Sequence, residues 1–463
     1  MKGSIMTSVL LVSVLLTAAA MTAGTPDASH PSEKGGVCGF KIVLPKEPAP
    51  FPEPLRGGRR KPGFALRGTK GWAWTPEQYL AEIPYLVRAK MNFLMNCYTS
   101  MFTDSEKWIN RWWEPIPDAK KKAYEKVVAA CRAAGIDFCF AIHPQLYSDR
   151  PLRYDSEQDF QDLWQHFAWM QGLGVRWFSL SYDDIGVEGA DKAKLGEAQA
   201  RLVNRLLARL REKDRGAELI FCPVYYWGRP DEGDAKSYIA AVAEILDKDA
   251  FVFWTGDGVV TGSITSDAAR SYGTAVRHRL VIWDNYPVND RSGALHLGPV
   301  TGRDPGLADV AYGYMSNPLS PQNEINRIPL FTCADFAYNP WAYDPVRSIG
   351  QAILHLAKTR PQRDALKALI ELYPGNLTCG STRTDYNVVL EEYKRLAARP
   401  ESRREAAEFA AHVTAVVLRF EQEFPAEYSR TKETLSDHLA KLKDLTAKGP
   451  GQAAKSPRPV REK

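Results

Sequence analysis

Two adjacent carboxylates, Asp183 and Asp184, follow the apolar run Trp177-Phe178-Ser179-Leu180 after two further residues. Alone, such a pair is an ordinary element of solvated turns. At the end of a strand-like run it reads differently. Successive strand residues face opposite ways, so both carboxylates reach one site only where the strand stops and the chain bends. Ile185-Gly186 is placed to permit that bend. Two close carboxylates push their titrations apart, so that one stays protonated as an acid toward neutral pH while the other is ionised. The chemistry implied is acid–base hydrolysis.

Other apolar runs end in the same kinds of residue. Pro223-Val224 leads into Tyr225-Tyr226-Trp227, and Phe251–Trp254 into Thr255-Gly256-Asp257. Trp283-Asp284-Asn285 is followed by Asn289-Asp290, and a further run ends in Ser316-Asn317-Pro318. Carboxylates for proton transfer, amides for hydroxyls and aromatic planes for apolar ring faces are what a sugar site requires. His143 closes one run as a lone histidine and reads as structural. The His, Asp and Glu residues show no metal-ligand spacing, so neither a metal nor another cofactor is expected.

The elements that must position these residues alternate. Strand-like runs fall at Gly63–Leu66, Asn92–Tyr98, Asp137–His143, Val175–Tyr182, Glu218–Val224, Phe251–Trp254, Leu280–Asp284 and Asp309–Met315. Between most of them lie amphipathic helical patterns, such as Pro76–Lys90, Lys120–Ala134, Glu157–Gly172, Glu188–Lys213, Asp234–Lys248 and Ser266–His278. Runs that are apolar at nearly every position suit parallel strands buried on both faces. Alternation repeated eight times predicts an α/β fold, a (β/α)₈ barrel (TIM barrel), whose site forms where strands end and loops begin. An open doubly wound sheet would call for a Gly-rich phosphate turn after an early strand, and none is present. Beyond residue 345 long helical periods take over, with Val413–Leu418 on one buried helix face.

The expected organisation is a signal peptide over residues 1–24, a Pro/Gly-rich leader over 25–60 with one strand at Phe40–Leu44, and the catalytic barrel over 61–345. A helical C-terminal region over 346–448 and a disordered tail over 449–463 follow. The N-terminus has one Lys, a short apolar stretch and small residues, the pattern of a secretory signal. It places the protein outside the cytoplasm, secreted or periplasmic, without stable membrane insertion.

The 463 residues carry a net charge of only +5, dispersed along the chain, which offers no footprint for nucleic acid. The seven cysteines form no CxxC pair, and Cys97, Cys139 and Cys222 sit in apolar runs as small hydrophobes. An odd count leaves a thiol unpaired within the chain, and spacing assigns no disulfide. Asn376-Leu377-Thr378 fits the acceptor pattern for glycosylation in a eukaryotic host. The oligomeric state is not legible.

Several blocks, in order, resemble glycoside hydrolase family 84, the β-N-acetylglucosaminidases and O-GlcNAc hydrolases. They are Tyr182-Asp183-Asp184-Ile185, Phe221-Cys222-Pro223 with Tyr226, Trp254-Thr255-Gly256, Trp283-Asp284-Asn285 with Asn289-Asp290, Leu297-Gly298-Pro299 and Asn317-Pro318. The resemblance covers about residues 63 to 345. It implies a glycan substrate bearing N-acetylhexosamine and retaining hydrolysis in which the substrate's own 2-acetamido oxygen is the nucleophile, a departure from the carboxylate nucleophile of other retaining enzymes.

In that scheme Asp183 orients the acetamido group and Asp184 is the acid and then the base. Asn285 and Tyr226 hold the acetamido group or the catalytic groups. Asp290 and Asn317 bond hydroxyls, Trp283 walls the pocket with Trp254 also among the sugar-binding residues, and Gly71 offers its carbonyl to the 3-hydroxyl. The chain departs from the family twice. Gly71-Trp72-Ala73-Trp74 replaces Gly-Phe-Tyr-Gly, with Lys70 where an acidic residue is usual, and Thr99 occupies the place of a family lysine. Both departures imply altered recognition near the 3-hydroxyl. The contrasting readings are a carbohydrate-binding pseudoenzyme, or a two-carboxylate hydrolase in which Glu114 or Asp257 joins Asp184.

Overall fold

The computed structural model describes residues 37–102, 109–320 and 324–448. The signal-peptide segment, the first part of the leader and the C-terminal tail lie outside them. All described residues fall within one compact unit, Gly36–Lys463.

Eight parallel strands close into a barrel in sequence order. They are β1 (Leu66–Gly71), β2 (Phe93–Asn96), β3 (Asp137–Ile142), β4 (Trp177–Ser181), β5 (Glu218–Cys222), β6 (Phe251–Trp254), β7 (Arg279–Pro287) and β8 (Ala311–Asn317). The closing pair sets Leu66 against Gly313 and Thr69 against Ser316. The strands are apolar on both faces because both are buried. Phe93, Met95, Cys139, Ala141, Ile220 and Met315 fill the barrel interior. Their alternating neighbours Leu94, Phe138, Phe140, Phe178, Leu180 and Phe221 pack outward against the helices.

The surrounding helices are α1 (Pro76–Arg88), α2 (Tyr98–Phe102), α3 (Asp118–Ala133), α4 (Glu157–Gly172), α5 (Lys192–Lys213), α6 (Gly233–Ile245), α7 (Ser266–Val276) and α8 (Arg327–Tyr338). Thr75, Ser156, Asp191 and Thr265 cap α1, α4, α5 and α7, each side chain accepting a first-turn backbone N–H. These caps fix where each loop above the strands ends.

The chain continues as α9 (Pro345–Leu356), α10 (Arg360–Leu372), α11 (Val388–Ala397), α12 (Arg403–Glu423) and α13 (Ser429–Lys448). These helices share a second core in which Val413, Val416, Val417 and Phe420 of α12 join Leu366, Leu369 and Ile370 of α10. Within Val413–Leu418 the helical period turns Leu418 outward, where it is 57% exposed.

Residues 40–44 form no strand. That stretch finds no sheet edge to pair with, so its backbone bonds to side chains instead. Ile42 N–H donates to Glu371 at 2.7 Å and Ala49 N–H to Gln351 at 2.8 Å. Glu53 N–H donates to Asp335 at 2.6 Å, and Phe51 stacks on Phe331. A disulfide joins Cys38 to Cys379 across 341 residues of sequence. The other five cysteines are buried thiols. Asn376 is 1% exposed, with its amide donating to Arg383 O, so it presents no glycosylation site.

Candidate active site

Asp183 and Asp184 both line a cavity of about 570 Å³ at the C-terminal rim of the barrel. Tyr182 extends the β4 ladder by one bond, to Cys222 O. The bend that lets both carboxylates face the cavity then falls at Asp184 itself, whose φ is +57°. Ile185-Gly186 is not needed for it. Asp is one of the few residues that tolerate this left-handed conformation.

Asp183 is clamped from two neighbouring elements, by its side chain and by its backbone. Its Oδ2 accepts from the hydroxyl of Tyr98, the second residue after β2 and the first of α2. Its backbone carbonyl accepts from His143 Nε2 at 2.6 Å. His143 Nδ1 accepts the N–H groups of Leu146 and Gln145, which assigns the ring proton to Nε2. Burial pushes His143 down in pKa, so the ring stays neutral and acts as a strut. Asp183 Oδ1 has no hydrogen-bond partner among the described residues.

Asp184 is held differently. Its Oδ1 accepts from the Tyr226 hydroxyl at 2.6 Å. Its pKa is raised to about 6, by burial first and by the charge of Asp183 second, with Asp290 adding to the rise and Tyr226 and Lys70 opposing it. The side chain has open surface, yet that surface faces the cavity and protein surrounds the carboxyl on most sides. The enclosure governs its titration. The Tyr226 phenol, itself pushed well up by burial, stays protonated as a donor.

The tip of β7 forms the opposite wall. Fully buried Asp284 takes both Nε and Nη2 of Arg303, at 2.7 and 2.5 Å, and the Tyr314 hydroxyl. This anchor turns the flanking residues to the cavity. Trp283 lines it, with its indole N–H unpartnered among the described residues. Asn285 lines it too, donating to Val259 O at 2.7 Å and accepting from Asn317 at 2.8 Å. Asn317 Oδ1 is left without a donor. Asp290 and Arg291, both with positive φ, complete the rim.

The cavity thus gathers Asp183, Asp184, Tyr226, Trp283, Asn285, Asp290 and Asn317. Gly71 and Trp254 are not brought into it. The Gly71 carbonyl accepts from the Tyr79 hydroxyl at 2.9 Å and from Trp74 N–H, so it is already engaged behind β1. Trp254 is an outward-facing β6 residue that stacks on Tyr272 and donates to Gly228 O. Glu114 and Asp257, the partners expected for Asp184 in the two-carboxylate reading, lie outside the cavity as well. Tyr98 carried no functional role in the sequence reading, and Lys70 entered it only as a departure from the family pattern; both line the cavity. Among the described residues no group of three or more His, Cys, Asp or Glu is placed to hold a metal.

Structural comparison finds the same architecture in a mutant of the O-GlcNAc hydrolase of Thermobaculum terrenum, with a TM-score of 0.65 and 23% identity over 83% of each chain. The protein CpGH84B matches with a TM-score of 0.64 and 24% identity over 84% of this chain and 68% of its own. At such identities the likeness speaks for the fold. The sequence profile of the β-N-acetylglucosaminidases matches residues 67–371, from the second residue of β1 through β8, and takes in every cavity-lining residue named above. With a match over most of its length, this chain belongs to the β-N-acetylglucosaminidase family, glycoside hydrolase family 84.

Proposed function

We propose that this protein is a retaining hydrolase that releases N-acetylated hexosamine through an oxazoline formed by the substrate itself. The observation that carries the reading is the pairing at the tip of β4. One carboxyl, Asp184, is raised to about 6, while its neighbour Asp183, held by Tyr98, lines the same cavity.

In the first step the acetamido oxygen attacks the anomeric carbon, and the bond to the leaving oxygen breaks. The Asp184 proton passes to that oxygen. Asp183 accepts the acetamido N–H and offsets the positive charge that develops on the nitrogen. In the second step Asp184, now ionised, takes a proton from water as the water attacks the anomeric carbon and the oxazoline opens. A positioned acid–base group of this kind contributes about 10²–10⁴-fold. Tyr98 and Tyr226 hold the two carboxyls, Trp283 walls the sugar, and Asn285, Asp290 and Asn317 bond polar groups of the substrate.

A glycan outside the cytoplasm is the proposed substrate. The N-terminal secretory pattern and the Cys38–Cys379 disulfide support an oxidising compartment.

The test compares aryl β-glycosides with and without the 2-acetamido group, using wild type, Asp183→Asn and Asp184→Asn. Only the acetamido sugar is turned over. Asp184→Asn loses most on poor leaving groups and least on activated ones, whereas Asp183→Asn loses on both. Turnover of the sugar lacking the acetamido group overturns the mechanism. Binding without any turnover marks the chain as a pseudoenzyme.

A further inference from the structure

Lys70 occupies the penultimate position of β1 and is 3% exposed. It lines the same cavity as Asp183 and Asp184. Among the described residues its ammonium makes no ion pair and finds no hydrogen-bond acceptor. Three aromatic rings surround it instead. Nζ lies 4.2 Å from the ring centroid of Trp283, 4.8 Å from Tyr98 and 5.3 Å from Trp72.

Lysine is almost never this buried unless paired. Ring faces attract a cation, yet they answer its charge only in part and offer no conventional acceptor for its N–H donors. The ammonium is therefore held ready, donors unanswered, on the wall beside the paired carboxylates. A substrate hydroxyl would answer one N–H and leave the charge uncompensated. An anionic oxygen group answers both. While Asp184 keeps its proton, the lining carries no net charge to repel such a group. With Asp184 in its acid form, the charged residues of the lining are Asp183 and Asp290 against Lys70 and Arg291.

We infer that Lys70 is a specificity-determining residue that binds an anionic substituent, a carboxylate or a sulfate ester, carried by the N-acetylhexosamine in this cavity. The inference rests on the hydrolase reading for where the sugar sits, but its test does not depend on turnover.

Isothermal calorimetry of the whole protein is run with N-acetylglucosamine, its 3-, 4- and 6-sulfates, and its 3-O-lactyl ether. At least one charged sugar binds about tenfold tighter than the neutral parent, and the preference shrinks as salt is raised. The sulfates and the lactyl ether distinguish the two sources of charge. Lys70→Met abolishes the preference, lowering the affinity for the charged sugar about tenfold more than that for the neutral one. It also leaves the melting temperature of the free protein unchanged or higher, because it removes an unpaired buried charge; a purely structural lysine would lower it. Lys70→Gln serves if the Met variant does not fold.

Equal binding of neutral and charged sugars by wild type overturns the inference, as does a preference that survives loss of the lysine. Failure of the hydrolase reading looks different: charged sugars are preferred, but no aryl N-acetylhexosaminide is cleaved.

Discussion

The Tyr226 hydroxyl donates to Asp184 Oδ1 at 2.6 Å, joining the loop after β5 to the bend after β4. This bond favours the ionised carboxyl, against burial and Asp183, which favour the acid. Tyr226→Phe therefore raises the Asp184 pKa further. In wild type the alkaline limb of kcat/KM follows loss of the Asp184 proton near pH 6. In the variant that limb moves to higher pH, while the maximum falls by about tenfold or more as the acid loses its orientation. A pH–rate profile on an aryl N-acetylhexosaminide checks this. A limb that stays in place or moves down removes Tyr226 from control of the proton.

Asp184 also links stability to pH. Its ordinary value is 3.8, and in the folded protein it is raised to about 6. The folded state binds this proton more tightly than the unfolded state. The resulting stabilisation is full below about pH 4 and is lost as pH rises through about 6. Asp184→Asn escapes that loss. Its melting temperature exceeds that of wild type at about pH 7.5, and the advantage closes toward about pH 4. Scanning calorimetry at the two pH values decides; a constant offset would show that the titration contributes nothing.

The pair Asp284–Arg303 holds the wall that carries Trp283 and Asn285, and both partners are almost fully buried. Asp284→Ala strands the guanidinium without a counter-charge, at a cost of about 3–5 kcal/mol. Asp284→Leu combined with Arg303→Met removes both charges and recovers much of that loss. Urea unfolding of wild type, the single variant and the double variant provides the comparison. A double variant no more stable than Asp284→Ala would show that the wall depends on the hydrogen bonds rather than on charge balance.

Closing a loop of 341 residues, the Cys38–Cys379 disulfide restricts the unfolded chain strongly. Cys38→Ser or reduction lowers unfolding free energy by about 2–5 kcal/mol. Under native conditions the reduced protein exposes two thiols to alkylation, since the remaining cysteines are buried in the cores. Mass spectrometry after alkylation reads the number. Labelling of Cys139 or Cys222 would mean that the barrel had opened.

The barrel was legible because seven of its strands are apolar on both faces, a pattern that survives without any tertiary information. β1 was not placed well. Its apolar lead-in, Phe64-Ala65-Leu66, made the expected run start three residues early and end five residues early, while the strand itself carries Arg67, Thr69 and Lys70. A strand that contributes a charged side chain to a cavity looks unlike a strand. Asp183-Asp184 stood out because the pair ends an apolar run, whereas Tyr98 could not. Its hydroxyl finds Asp183 only after β2 and β4 have been brought to either side of β3, a contact between residues 85 apart in sequence. The leader failed for the opposite reason: a local alternation suggested a strand, but no sheet edge lies near it.

The left-handed backbone at Asp184 constrains its evolution. Of the common side chains, chiefly Gly, Asn and Asp sit comfortably in that conformation, so the residue's identity is fixed by the shape of the hinge as well as by the proton it carries. Glu would lengthen the acid and strain the hinge together, and therefore is not a conservative step. Asn keeps the hinge and discards the proton, and a single G-to-A change in the codon produces it. A barrel that holds its sugar but has lost its proton donor is thus one point mutation away, along a path on which folding raises no barrier.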